Sequence, residues 1–118
     1  MAGVATGIGS RGEDIAVEWL RSNGFYIVER NWRAGYYEID IIAQRWDTLH
    51  IVEVKTRHAS SWHSAADSID SQKIRNLRRA TSLYRMVHRS PLLIQFDLIS
   101  VVIDDHGGHT VEYIENIL

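Results

Sequence analysis

Apolar residues near the start of the chain recur at the spacing of a helix. Residues 10–13 (Ser-Arg-Gly-Glu) have the form of a capping box, and apolar residues within 15–20 then follow every three or four positions. A first helix is therefore predicted to begin at Ser10 and to end at Gly24, a residue type that commonly ends helices.

The rest of the chain alternates between strand-like and helical stretches. Apolar residues predict strands at residues 25–32, 36–44, 50–57, 92–103 and 110–117, and a second helix at 71–88 that Ser90-Pro91 ends. Residues 1–9 are predicted to be a flexible lead-in and the polar residues 58–68 a mobile loop. The order αβββαββ predicts an α/β fold with helices packed on a sheet, in one domain over residues 1–118.

Composition places the chain among ordinary globular proteins. It has 118 residues, of which 45% are apolar and 24% charged. The absence of cysteine excludes disulfides and cysteine-based zinc sites, and it fits a reducing cytoplasm, which is the expected location. No apolar run approaches the ~20 residues that span a bilayer, and residues 1–9 lack the pattern of a secretory signal. No membrane partner is therefore expected.

A charged cluster interrupts two of the predicted strands. Side chains two residues apart in a strand lie on the same face. Glu38 and Asp40 therefore share a face of one strand, and Glu53 and Lys55 share a face of the next. If Trp46-Asp47 forms a hairpin turn, Asp40 lies opposite Glu53 and Glu38 opposite Lys55. Two facing carboxylates repel each other unless a cation lies between them. The cluster is either a metal site or a solvated, salt-bridged face of a hairpin.

A metal site at this cluster would have a defined chemistry. Asp40 and Glu53 would supply two carboxylate ligands to Mg²⁺ or Mn²⁺, and the backbone carbonyl of Val54 a third. Lys55 would orient the attacking water or stabilise the charge on a phosphate that is being cleaved. Such a set suits hydrolysis of a phosphodiester bond.

Two further charged residues lie on apolar helix faces. Glu13 shares a face with Ala16 and Leu20, so it either points inward to the cluster or caps its own helix. Lys73 projects with the apolar stripe of the second helix, where it either reaches a phosphate or extends to water.

Basic residues concentrate in the second helix although the net charge is −2. No acid occurs between residues 71 and 90, a segment that contains Lys73, Arg75, Arg78, Arg79, Arg85 and Arg89. This face either binds the backbone of a nucleic acid or is simply solvated.

Several other polar residues are weaker candidates. Asn31 and Arg33 end the first strand, where they would position Glu38 or a substrate, and Asp97 is expected to pair with a helix cation. The four histidines at positions 58, 63, 106 and 109 have no zinc-binding pattern and are expected at the surface.

The order and spacing of these residues resemble the YraN family, small bacterial proteins with a restriction-endonuclease-like fold akin to archaeal Holliday-junction resolvases. The segments that carry the resemblance are Gly12-Glu13, Asn31-Trp32-Arg33, residues 38–43, residues 52–57, Lys73 and Phe96-Asp97. The resemblance covers nearly the whole chain. It implies a PD-(D/E)xK nuclease core, with a central mixed sheet flanked by helices.

The resemblance also implies roles for individual residues. Asp40 takes the place of the metal-binding aspartate, Glu53 of the second acid and Lys55 of the lysine; Glu13 matches a first-helix glutamate. The expected metal ligands are Asp40, Glu53, Val54 and Glu13, and the expected nucleic-acid contacts are Lys73, Arg75, Arg78, Arg79, Arg57 and Arg33. Tyr37 and Gln95 depart from the glycine and arginine that the family usually has, which bears on substrate preference.

The function that these observations predict is a Mg²⁺- or Mn²⁺-dependent endonuclease that hydrolyses phosphodiester bonds in DNA, including branched or damaged DNA. The alternative is a nucleic-acid-binding module or accessory subunit without catalysis. RNA is left open as a substrate. Cutting both strands of a junction would require two active sites related by a dimer axis, so a homodimer is expected for that substrate.

Overall fold

A computed structural model of the chain describes residues 7–60 and 70–118, and for Ile8 its backbone only. Two helices and five strands follow the predicted order αβββαββ. Their bounds are α1 Ile8–Ser22, β1 Tyr26–Ala34, β2 Tyr37–Arg45, β3 Thr48–His58, α2 Ser71–Val87, β4 Leu93–Ile103 and β5 His109–Ile114. In the described part of the chain, neither helix has the length and apolar character needed to cross a membrane.

The five strands form one mixed sheet. Their spatial order is β1-β2-β3-β4-β5, with β3 and β4 parallel and every other neighbouring pair antiparallel. The parallel pair needs a crossover connection, and α2 lies within it. The predicted α/β fold is confirmed: a mixed five-stranded sheet with two helices is compatible with a restriction-endonuclease-like core.

Each helix covers one face of the sheet. Neighbouring residues of β2 show the division, because Ile41 packs with α1 and Ile42 packs with α2. The α1 side is built around Ala16, Val17, Leu20, Phe25, Val52 and Ile99. The α2 side is built around Leu49, Ile51, Leu77, Ala80 and Tyr84. Both faces of the central strands are therefore buried, as their nearly continuous apolar sequence suggests.

The predicted capping box at the start of α1 is wrong. The helix begins at Ile8, and the residue at the N-cap position is Gly7, which has no side chain to form the capping hydrogen bond. Ser10 is inside the helix, and the Glu13 side chain hydrogen-bonds Asn31 on β1 instead of closing a box. Ile8 and Gly9, which were predicted to belong to a flexible lead-in, are the first residues of the helix, while residues 1–6 lie outside the described part.

The ends of β1, β2 and β3 extend one or two residues beyond the predicted strands, whereas β5 ends at Ile114, before the predicted end at residue 117. His58, which the sequence assigned to a mobile loop, is the last residue of β3 and pairs with Ile103. Ala59 and Ser60 form a turn, and residues 61–68 of the predicted loop lie outside the described residues. Gly35, with a φ of 62°, forms the turn between β1 and β2.

A close approach between α1 and β3 depends on Gly12. A Cβ at this position would overlap the side chain of Thr56 on β3. Gly9, one helical turn earlier, has nothing within 4 Å of the same position. Gly12 therefore lets the start of α1 lie directly on β3, and the next residue, Glu13, is brought near the charged cluster.

Candidate active site

Strands β2 and β3 pair only over part of their length. The ladder runs from Arg45↔Thr48 to Ile41↔Val52, so the predicted turn at Trp46-Asp47 is confirmed. Beyond Ile41↔Val52 the two strands no longer pair, and the next residues are Asp40 and Glu53. The carboxylate of Asp40 accepts a hydrogen bond from the backbone N–H of Val54 at 2.9 Å, which takes the place of a ladder bond.

Helix α2 lies over the point where β2 and β3 separate. The space between this helix and the two strands is a pocket of about 450 Å³. We call it the acidic pocket. Its lining residues are Tyr36, Glu38, Asp40, Glu53, Asp70, Gln72, Lys73, Asn76 and Leu77. Three acids of the predicted cluster and Lys73 therefore share one cavity. Tyr36, Gln72 and Asn76 were not predicted to belong to it, although Lys73, Asn76 and Leu77 do follow one another at helical spacing.

The Asp40 carboxyl in this pocket has a strongly raised pKa. Its pKa is raised from 3.8 to about 8, chiefly by burial and in addition by the charges of Glu53, Glu13 and Glu38. The hydrogen bond from the Val54 N–H favours the charged carboxylate but is outweighed. Asp40 is thus a buried acid held close to other acids, an arrangement that a cation stabilises.

Lys73 already supplies one positive charge to this site. Its Nζ lies 2.7 Å from Oε1 of Glu53, whose side chain is only 13% exposed. Burial alone would favour the neutral amine, but the hydrogen bond and charge of Glu53, together with the charge of Asp40, raise the pKa of Lys73. Lys73 is therefore a protonated counter-ion of Glu53. From the sequence, Lys73 was expected to contact the nucleic acid, and its contact with Glu53 was not predicted.

Glu13 lies next to the cluster but outside the wall of the pocket. Its pKa is raised by burial, while a hydrogen bond from Asn31 and the charge of Arg30 act in the opposite direction. Its own charge contributes to the raised pKa of Asp40. The prediction that Glu13 faces inward is consistent with this position, and Asn31 positions Glu13 and not Glu38.

The Glu38 side chain is held in place by a residue of the neighbouring strand β1. Arg33 and Glu38 are partners in the β1–β2 ladder, and their side chains form an ion pair with an N–O distance of 3.0 Å. The expected pairing of Glu38 with Lys55 does not occur, because the β2–β3 ladder ends before it reaches these residues. Arg33 thus positions Glu38, as the sequence suggested.

Lys55 is exposed and is not part of the acidic pocket. In the described part of the chain it has no ion-pair partner. Strand alternation nevertheless places it on the same face as Glu53, one repeat further along β3. The structure thus brings Lys73, and not Lys55, into contact with the acidic residues.

The remaining cations differ in exposure. Arg75, Arg78 and Arg79 are exposed on α2, as a nucleic-acid-binding face requires. Arg57 is half-buried and its guanidinium approaches the Ser100 hydroxyl at 3.4 Å. Arg57 therefore packs against β4 instead of extending from the surface with the helix arginines.

A second polar cluster lies away from the acidic pocket and was not predicted. Asp97, fully buried, accepts hydrogen bonds from the Tyr113 hydroxyl at 2.5 Å and lies 2.6 Å from Nδ1 of His50. Burial would raise the pKa of Asp97, but the bonds from His50, Tyr113 and Gln95 lower it. The expected pairing of Asp97 with a helix cation is wrong, because these three partners lie on β3, β4 and β5.

The donor set of the acidic pocket fits a hard divalent cation. Asp40 and Glu53 offer carboxylate oxygens, the ligands that Mg²⁺ and Mn²⁺ prefer, and the mutual repulsion that raises the pKa of Asp40 would be relieved. Among residues 7–60 and 70–118, no three histidine, aspartate or glutamate side chains are grouped closely enough to hold a metal by themselves. A metal here would rely on two carboxylates, with backbone oxygen and water completing its shell.

The fold and this site define the chain as a small α/β protein, compatible with a restriction-endonuclease-like core, that carries an acidic pocket. The model of a family described as "Uncharacterised protein family UPF0102" matches residues 12–101. UPF0102 proteins of Bacteroides thetaiotaomicron and Flavobacterium psychrophilum are similar to it. The first is 35% identical over 92% of this chain and 88% of the relative, and the second 43% identical over 80% and 79%. The chain belongs to the UPF0102 family, also called YraN, as its residues predicted.

Proposed function

We propose that this protein is a metal-dependent endonuclease that hydrolyses phosphodiester bonds in DNA. The observation that carries the proposal is the position of Asp40 and Glu53 at the point where β2 and β3 part, inside one pocket with Lys73. A buried carboxyl with a pKa raised to about 8 is unfavourable for folding. Strained electrostatics of this kind concentrate at functional sites.

The acids at this site and Lys73 have different parts in this proposal. Asp40 and Glu53 hold the cation, and Glu13 adds negative charge from α1. When bound, Mg²⁺ or Mn²⁺ supplies Lewis-acid activation of the phosphate and of the attacking water. Lys73 exchanges its contact with Glu53 for one with a phosphate oxygen of the substrate, since its ammonium already lies in the pocket.

The outer cations hold the substrate. Arg75, Arg78 and Arg79 lie exposed on the helix that forms one wall of the pocket, and no acid occurs in that helix to neutralise them. They would bind backbone phosphates without reading sequence. Lys55, on the same face of β3 as Glu53, adds a positive charge at the outer side of the site.

The proposal is tested by cleavage assays on branched, single-stranded and duplex DNA and on RNA of the same sequence, with Mg²⁺, Mn²⁺ or EDTA. Wild type is expected to cut only with metal, Asp40→Ala not at all, and Lys73→Met or Lys55→Ala more slowly. Asp47→Ala is a matched control, because Asp47 is an exposed acid at the tip of the same hairpin. The proposal fails if wild type cuts none of the substrates or if Asp40→Ala cuts as well as wild type.

A non-catalytic nucleic-acid-binding module is the second candidate. It is favoured by the ion pair between Lys73 and Glu53, which already neutralises one of the two expected ligands. This candidate predicts salt-dependent DNA binding that is indifferent to metal and to Asp40→Ala but is weakened by Arg78→Ala and Arg79→Ala. Unchanged affinity after loss of both arginines would count against it.

A further inference from the structure

One aromatic side chain stands at the rim of the acidic pocket without being buried in it. Tyr36 has a relative accessibility of 103%, the largest of any exposed large apolar residue in the described part of the chain. It nevertheless lines the pocket together with Glu38 and Asp40. Its ring is therefore available to a ligand that enters the pocket.

The backbone beneath Tyr36 is fixed. The turn between β1 and β2 is closed by the ladder pair Ala34↔Tyr37 and by the ion pair of Arg33 with Glu38 at 3.0 Å. The position from which the ring extends is therefore held, and only the side chain itself has to be ordered when a ligand binds it.

The charges of the pocket indicate which part of a nucleic acid reaches this ring. Among the residues that line the pocket, those on the strand side next to Tyr36 are the carboxylic acids Glu38 and Asp40, with no cation that would hold further phosphates of the substrate. The helix side has Lys73, together with neutral amides, and Asp70 there is engaged as the N-cap of α2. Phosphates therefore run along α2, and the uncharged base extends toward Tyr36.

We propose that Tyr36 is a stacking subsite for an unpaired nucleobase next to the phosphate that the acidic pocket holds. This inference rests on the proposed function and names the form of DNA that the same site takes. In a duplex both faces of a base are covered by neighbouring base pairs, so an aromatic ring reaches only a base that is unpaired or flipped out. The preferred substrates are single strands, flaps and junctions with unpaired bases.

Two other exposed aromatic residues provide internal controls. Tyr26 is 71% exposed and Trp46 83% exposed, and neither lines the acidic pocket. The Trp46 ring already packs against the Arg45 guanidinium, 4.8 Å from the ring centroid. Tyr26 is the closer match to Tyr36, because it is the same residue type on the same hairpin.

The test measures DNA binding by fluorescence anisotropy in the full chain with Asp40→Asn, in which cleavage is not expected. Probes are a labelled 20-nucleotide single strand and the duplex of the same sequence. Tyr36→Ala is expected to raise Kd for the single strand about 5- to 150-fold and Kd for the duplex less than twofold. Tyr36→Phe should retain single-strand binding, and Tyr26→Ala should change neither constant.

A second measurement reports the stack itself. 2-Aminopurine placed at successive positions of the single strand should be quenched at one position, and the quenching should disappear with Tyr36→Ala. The inference is overturned if Tyr36→Ala binds single strands as well as its parent, if it weakens both probes equally, or if Tyr36→Phe binds as poorly as Tyr36→Ala. Absence of DNA binding by both this parent and the wild type would instead refute the proposed function.

Discussion

Asp40→Asn tests the electrostatics of the acidic pocket without any assumption about metal. The substitution removes the charge, but the amide oxygen of asparagine can still accept the 2.9 Å hydrogen bond from Val54. In the unfolded chain Asp40 ionises near pH 3.8, whereas in the folded protein burial and Glu53 hold its proton to about pH 8. The folded state therefore binds more protons between these values, and the stability of wild type falls as pH rises through this range.

The size of the effect follows from the same shift. A rise from 3.8 to about 8, at about 1.4 kcal/mol per pKa unit, corresponds to an upper limit of about 6 kcal/mol. Part of this is relieved because Asp40 and Glu53 titrate as a pair. We expect Asp40→Asn to increase the free energy of unfolding by about 1–3 kcal/mol at pH 8.5, or several degrees in Tm, and by much less at pH 4.5.

Urea denaturation in EDTA at the two pH values measures this difference. Asp47→Asn is the control, because it makes the same change at an exposed position of the hairpin. The reasoning is refuted if Asp40→Asn is no more stable than wild type at pH 8.5, or if its gain is the same at pH 4.5. Added Mn²⁺ should then raise the Tm of wild type but not that of the variant.

Three further substitutions test other contacts. Lys73→Met removes the ammonium that neutralises Glu53. Calorimetry should show that Mn²⁺ binds about tenfold more tightly to this variant, and weaker binding would contradict the counter-ion role. Gly12→Ala should destabilise the protein by about 1–3 kcal/mol in thermal unfolding, because its Cβ overlaps β3, whereas Gly9→Ala, with open space, should be neutral or stabilising. Asp97→Ala should lower the free energy of unfolding in urea by about 3–5 kcal/mol, since its buried partners are left unpaired; a loss below about 1 kcal/mol would contradict this.

Local patterns were enough to predict the order of elements and the hairpin that carries the acids. The register that brings Asp40 next to Glu53 depends only on a two-residue turn at Trp46-Asp47, which short-range sequence signals identify. The predicted start of α1 was wrong: Ser10 has a good capping sequence, but the helix already begins at Ile8 after Gly7, whose lack of a side chain leaves no capping signal to recognise.

Contacts between distant segments could not be predicted in the same way. The ion pair of Lys73 with Glu53 depends on how α2 crosses the sheet between two parallel strands, which no local pattern determines. The same holds for His50 and Asp97, which meet only because the parallel register sets β4 beside β3. A polar residue inside an apolar strand signals that a partner exists, but it does not identify that partner.

The hydrogen bond from Val54 to Asp40 gives the site its own reporter in amide hydrogen exchange. Amides in the middle of a sheet usually exchange only when the strand opens or the protein unfolds. The Val54 amide is held by a carboxylate and not by a carbonyl of β2, while β3 stays paired with β4 on its other side. Its exchange rate should therefore follow the ionisation and occupancy of the acidic pocket, even where neighbouring amides of the same strand remain protected.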